Sequence, residues 1–148
     1  PIARLESVNL SAKTEYACVA MLELALRHGS PEPVRIRSIA ERHGIPSRFL
    51  VQILLQLKGA GLVASTRGAS GGYQLARSPD SISLDEVMGV IEGPASEPGS
   101  NIDPTPVAQV LRQVWCEAAE AKRALLRGVS LADLAEQVGS RPEPMYYI

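Results

Sequence analysis

Arg48 and Gln52 stand four positions apart in this 148-residue chain, so on a helix they share one face. An arginine in that place can pair with guanine edges or with phosphate, and a glutamine can make paired hydrogen bonds to adenine. Ser47 and Val51 lie beside them. The valine offers no hydrogen bond, so it touches a thymine methyl or lines a groove wall, and Lys58 adds a cation further along. A second set is Arg67-Gly68-Ala69-Ser70-Gly71-Gly72-Tyr73. Its glycines let backbone N–H groups come close to phosphate, and Arg67 is carried at its edge. Arg35, Arg37 and Ser38 flank the start of a further short helix, whose positive end attracts phosphate. Lys13 completes the candidate DNA-contacting set. Catalytic patterns are missing from the sequence. There is no nucleophile–base arrangement, no phosphate loop ending in Lys-Ser/Thr and no metal-ligand spacing, so an enzyme is not expected.

The remaining reactive residues read as structural. Cys18 sits in an apolar helical run and is most simply a small core residue. Cys116 is its only companion, and two cysteines make no disulfide framework, which fits a reducing compartment. His28 and His43 each precede a glycine where a helix is expected to end, and there a donor or cation helps the terminal carbonyls. Neither has a second ligand at helical spacing, so no metal is expected.

The formal net charge of −1 conceals a split. Residues 1–77 carry ten Lys/Arg and five Glu, whereas residues 78–148 carry five basic and eleven acidic residues. From Arg42 through Pro79 five bases occur and no acid. A polyanion partner for the first half follows from that asymmetry, although solvated surface gives basic stretches too. No apolar run approaches the roughly 20 residues that span a bilayer. Pro1 to Glu6 lack a signal-peptide layout. A cytoplasmic protein with no membrane partner is the expectation.

The elements that must position these residues are legible from periodicity. A helix is expected from about Ser11 to His28, capped by Ser11, closed by Gly29 and apolar nearly all round, hence buried. A short helix follows over Ile36–His43, with Ile36, Ile39 and Ala40 as its stripe. Ile45-Pro46-Ser47 forms a turn. A third helix runs over about Ser47–Ala60, with Phe49, Leu50, Ile53, Leu54 and Leu57 turned inward. Two short helices joined by a glycine-containing turn form a helix-turn-helix. Leu62–Thr66 and Tyr73–Ala76 read as strands around the glycine-rich turn, a wing. Ser83 and Glu86 form a capping box that opens a helix to about Glu92. Gly93 to Pro106 holds four prolines and reads as a loop.

A long helix is expected from about Thr105 to Arg127. Val107, Leu111, Val114, Ala118, Ala121 and Leu125 recur along it at alternating spacings of four and three. That seam suits packing against another copy of the helix, or against the same chain's core. With Leu111 at heptad position a, Cys116 falls at f, away from the seam. Ser130 caps a last helix, Leu131–Val138, and the tail to Ile148 is expected to be poorly ordered.

Several stretches resemble the Rrf2 family of bacterial regulators. These are Asn9–Ala17, Ile39–Ile45, Leu50–Gln52, Leu62-Val63, Arg67–Tyr73, Ile82–Gly93 and Val129–Leu134. The resemblance covers about residues 9–138, and the Arg-Gly-x-x-Gly-Gly-Tyr wing is its most specific part. It implies a homodimer in which each subunit has a winged helix-turn-helix and a long helix crossing to its partner. Cluster-binding members carry three cysteines in the loop before that helix, whereas Gly93–Pro106 here has none. An iron–sulfur cluster usually needs four thiolate or comparable ligands, so no cluster and no other cofactor is expected.

The expected fold is mainly α with a small β-hairpin. The expected organisation is a winged helix-turn-helix domain over 1–92, a linker over 93–106, and a dimerisation helix with a C-terminal helix over 107–148. The function expected is a DNA-binding regulator, a repressor on a palindromic double-stranded site. The competing reading is a winged-helix assembly module whose basic face takes an acidic protein partner. A small-molecule or protein effector is expected, and the loop composition names neither.

Overall fold

The computed structural model describes residues 10–93 and 102–140. The expectations for Pro1–Glu6, for most of the loop after Gly93 and for the tail beyond Ser140 lie outside these residues. Within them the chain is helical with one small sheet. In order come α1 (Ala12–Leu26), α2 (Ile36–His43), α3 (Ser47–Gly59), β1 (Val63–Thr66), β2 (Gly72–Leu75), a 3-10 turn (Pro79–Ser81), α4 (Leu84–Glu92), α5 (Pro106–Arg127) and α6 (Leu131–Gly139).

α1 is the central element. The Ser11 side chain caps it by accepting from Thr14 N. The helix stops at Leu26, two residues short of the expected His28, and the chain turns through Gly29 at φ 95°. Ala17, Ala20, Met21, Leu24 and Ala25 are buried on it against α3, α4 and α6. Cys18 is half-buried. Thr14, also buried, donates to Glu92 Oε2 at 3.2 Å and ties α1 to the end of α4.

The helix-turn-helix forms as its apolar spacing requires. Ile39 and Ala40 of α2 and Leu50, Ile53, Leu54 and Leu57 of α3 are buried. Between them Gly44 takes the left-handed conformation at φ 66°, and Ile45 N returns to Ala40 O at 3.0 Å. Phe49 departs from expectation and is exposed. Its ring lies 6.3 Å from Tyr16, with the Arg48 guanidinium 5.1 Å from its centroid. A residue one position before Leu50 falls at the rim of the buried stripe, where a ring can be covered on one side only.

Glu23 is a charge inside α1's buried surface, with its side chain 6% exposed. Burying a carboxylate is costly unless it is paired. Three side chains meet it: His43 Nε2 at 2.9 Å and the guanidinium groups of Arg27 at 3.3 Å and Arg42 at 3.7 Å. His43 and Arg42 close α2, so this carboxylate fastens the helix-turn-helix to α1. His43 therefore has a specific partner, beyond the carbonyl-capping role its position before Gly44 implied.

α4 and α6 begin side by side. Ser83 and Ser130, their N-caps, form an antiparallel bridge, with Leu84 N to Val129 O at 3.0 Å and Leu131 N to Ile82 O at 2.9 Å. The Ser83 half of the expected capping box is present, with Glu86 N donating to its hydroxyl. The Glu86 carboxylate instead receives Arg77 Nη1 at 2.6 Å. The reciprocal box belongs to Ser130 and Asp133. Leu131 is fully buried in the core built by α1, α3 and α4, so the last helix packs on the winged-helix body.

Candidate nucleic-acid interface

The outer face of α3 follows from its inner one. With Leu50, Ile53, Leu54 and Leu57 inward, Ser47, Arg48, Val51, Gln52, Leu55 and Lys58 are exposed. Arg48, Val51, Gln52 and Leu55 recur at spacings of three and four and form one outward stripe. It offers a fork of donors, an amide and two apolar patches. Leu55 stands in neither the inward nor the DNA-contacting set expected from sequence, because a leucine offers no polar group that marks a base contact.

β1 and β2 pair antiparallel in the register Val63↔Leu75 to Thr66↔Gly72, and Arg67 to Gly71 make the wing tip. Two backbone contacts explain the glycines beyond flexibility. A Cβ on Gly71 would come within 2.2 Å of Thr66 O, and one on Gly72 within 2.4 Å of Val34 O. The second contact exists because Val34 acts as a third, one-residue strand. Val34 N donates to Tyr73 O at 2.9 Å and Tyr73 N to Val34 O at 2.7 Å. Arg67, Gly68 and Ser70 are exposed on the tip.

The other sequence-nominated cations divide by what they hold. Lys13 lies half-exposed in the first turn of α1. Arg37 pairs along α2 with Glu41 at 3.2 Å, both largely exposed, a pairing worth little in water. Ser38 is exposed on α2. Lys58 Nζ donates to Ser65 Oγ on β1 at 2.7 Å, and Arg35 Nη2 to Ala69 O in the wing tip at 2.5 Å. The structure thus leaves Arg48, Gln52 and Arg67 exposed, and turns Arg35 and Lys58 toward the wing.

α5 carries a second candidate surface. None of its residues is buried. Its less exposed positions are Ala108, Arg112 and Leu126, and the helix touches α4. At about 100° per residue the seam Val107, Leu111, Val114, Ala118, Ala121 and Leu125 lies roughly 100° around the helix from them. The seam points away from the chain's own core: Val107 is 72% exposed, Leu111 47%, Val114 56% and Leu125 70%. Val110 and Trp115, on the flanks of the seam, are exposed as well and widen it. So large an apolar face left uncovered is characteristic of an interaction surface.

The thiols are chemically different. Burial, then the negative charges of Glu92 and Glu15, pushes the Cys18 thiol up to about 11. Cys116 is exposed. Alkylation at pH 8 followed by peptide mass spectrometry is expected to label Cys116 and spare Cys18, because the thiolate is the nucleophile. Cys18 should react only once urea unfolds the chain. Equal labelling of both in the folded protein would contradict its placement.

Among the described residues no three His, Cys, Asp or Glu side chains gather where a metal ion would fit. No described helix is long and apolar enough to cross a membrane. Residues 10–137 match the Rrf2 family model, described as an iron-dependent transcriptional regulator. The residues present do not fit a protein-bound cluster. The two cysteines lie on separate helices, one with its thiol held protonated. The chain is 35% identical to the HTH-type transcriptional regulator CymR of Bacillus subtilis, over 95% of this chain and all of that one. In structure it is similar to T. potens IscR, with a TM-score of 0.77 at 32% identity over 97% of this chain and 99% of the other. It is likewise similar to CymR (YrzC), the global cysteine regulator of B. subtilis, with a TM-score of 0.76 at 35% identity over 88% and 98%. With a winged helix-turn-helix, its glycine-rich wing and a family match over most of its length, the chain belongs to the Rrf2 family of transcriptional regulators.

Proposed function

We propose that the protein is a cytoplasmic repressor that binds a palindromic DNA site as a homodimer and does so without an iron–sulfur cluster or catalytic activity. The observation that carries the reading is the outward stripe Arg48, Val51, Gln52 and Leu55 on α3, next to a wing that presents Arg67. In this arrangement α3 enters the major groove, with Arg48 and Gln52 hydrogen-bonding to base edges and Val51 and Leu55 against thymine methyls. The wing tip follows the backbone or the adjacent minor groove. The exposed seam of α5 supports pairing of two copies, which sets two half-sites one helical turn or a multiple apart. The absence of cysteine from Gly93–Pro106 supports a signal other than a cluster, delivered by a small molecule or a partner protein.

Titration of the protein against genomic fragments at several salt concentrations tests this. Specific binding should weaken steeply with salt, by a slope of about −0.9 per neutralised phosphate. Arg48→Ala should cost about 1–3 kcal/mol and relax the preference at one base pair of each half-site. Arg67→Ala should weaken all sequences alike and lower the salt slope by about 1 if it grips phosphate. Failure to bind any fragment at low salt would remove the DNA reading and leave an acidic protein as the partner of the basic face.

A further inference from the structure

Arg35, at the N-cap of α2, and Lys58, on α3, each give a side-chain hydrogen bond to the wing. Arg35 Nη2 reaches across 34 positions to Ala69 O, a carbonyl at the very tip, at 2.5 Å. Lys58 Nζ reaches Ser65 Oγ in the wing's first strand at 2.7 Å. Gln74 Nε2 donates to Ser30 O at 3.2 Å, and Val34 exchanges both backbone hydrogen bonds with Tyr73. The stem of the hairpin is therefore held by β-pairing, Lys58 and the α1–α2 connection. The tip beyond Gly72 has Gly71 N to Gly68 O at 3.0 Å within the turn, and Arg35 from outside it. A glycine-rich tip samples many conformations when untethered, and each must be given up on binding.

We propose that Arg35 is a positioning residue for the wing. Its guanidinium, anchored at the start of α2, holds the Ala69 carbonyl and so presets where Arg67 stands before DNA arrives. The fork suits this task, since one arm holds the carbonyl and other N–H donors stay in solvent. Binding by a loop already in its bound pose avoids the ordering cost at the moment of contact. Arg35 thereby acts on affinity through Arg67, without itself needing to touch phosphate. This rests on the DNA-binding reading, but its first test does not.

That test uses the free protein. Trypsin cleavage after Arg67 reports opening of the tip. Arg35→Ala should raise the rate of that cut by about tenfold, the value of one charge-assisted hydrogen bond, with the melting temperature unchanged. An unaltered rate overturns the proposal whether or not DNA binds. The second test is a double-mutant cycle with Arg67→Ala against an operator fragment. Arg35→Ala should weaken binding about tenfold in the native chain and less than about twofold in the Arg67→Ala background. Equal losses in both backgrounds, each with a salt slope reduced by about 1, would make Arg35 a phosphate ligand and overturn the proposal. Loss of binding by the native chain to every fragment would instead strike the DNA reading, and the cleavage rate would still decide the role of Arg35.

Discussion

Replacing Leu111 and Val114 together by glutamate should abolish the proposed pairing of two copies and lower affinity for the proposed palindromic site by about a hundredfold or more. Full burial of a leucine or valine side chain is worth about 1.5–3 kcal/mol. Leu111 is 47% and Val114 56% exposed in the single chain, so roughly half of that remains to be gained by pairing. Two such residues in each of two copies contribute about 4 kcal/mol, close to a thousandfold in the dissociation constant. Four carboxylates in the same seam add like-charge repulsion and desolvation on top. A monomer reads one half-site and retains only the weaker, salt-dependent attraction to phosphate. Sedimentation velocity gives the assembly state, and a titration on the same samples gives the affinity. Cys116→Glu is the control, because that exposed residue lies about half a turn from the seam and should change neither. A double variant that still sediments as a dimer, or a native chain that is monomeric at micromolar concentration, would remove the seam from the mechanism.

Local periodicity made the helices and the wing readable, because each follows from spacing within about a dozen residues. Leu50, Ile53, Leu54 and Leu57 fall inward as their three- and four-residue intervals require, and Arg48, Val51 and Gln52 are outward as their complement. What stayed hidden depends on partners far away in the chain. Arg35 reads as a phosphate-binding cation until Ala69 is folded against it. Lys58, expected as a DNA contact, also donates to Ser65, a partner that spacing cannot show. Glu86 looks like half of a capping box because spacing cannot show that Arg77, on the approach to α4, will claim its carboxylate. The N-cap partner Asp133 was missed for the opposite reason: aspartate is shorter than the Glu/Gln pattern that marks such boxes. Phe49 shows a further limit. An apolar residue on the rim of a helix's buried stripe is assigned to the core by pattern, although the width of that stripe depends on the neighbours that cover it.

Glu23 is the residue about which sequence said least, and its removal is expected to cost the most stability among polar changes. The one acid in the apolar stretch from Ala17 to Leu26 gives no sign that Arg27, Arg42 and His43 converge on it. In Glu23→Ala those three donors lose their common acceptor, and a space opens beside Ile39 of α2. Removing one partner of a fully buried ion pair costs about 3–5 kcal/mol. The arginine side chains here are 47% and 56% exposed and can recover hydration, so about 2–3 kcal/mol is the expected loss. For a chain of this size that is a fall of about 10 °C in melting temperature, measurable by circular dichroism. Glu23→Gln keeps the volume and one acceptor oxygen and should lose about half as much. The consequence for binding is separable. Because Arg42 and His43 close α2 and lead into the turn before α3, loosening them frees the angle at which α3 is presented. Operator affinity should therefore fall at temperatures where Glu23→Ala remains fully folded, while attraction to non-operator DNA is unchanged, since no surface cation is removed. A melting temperature within about 2 °C of the native value would show that the three side chains are adequately solvated without their carboxylate. In that case α1 would hold the helix-turn-helix through its buried apolar residues alone.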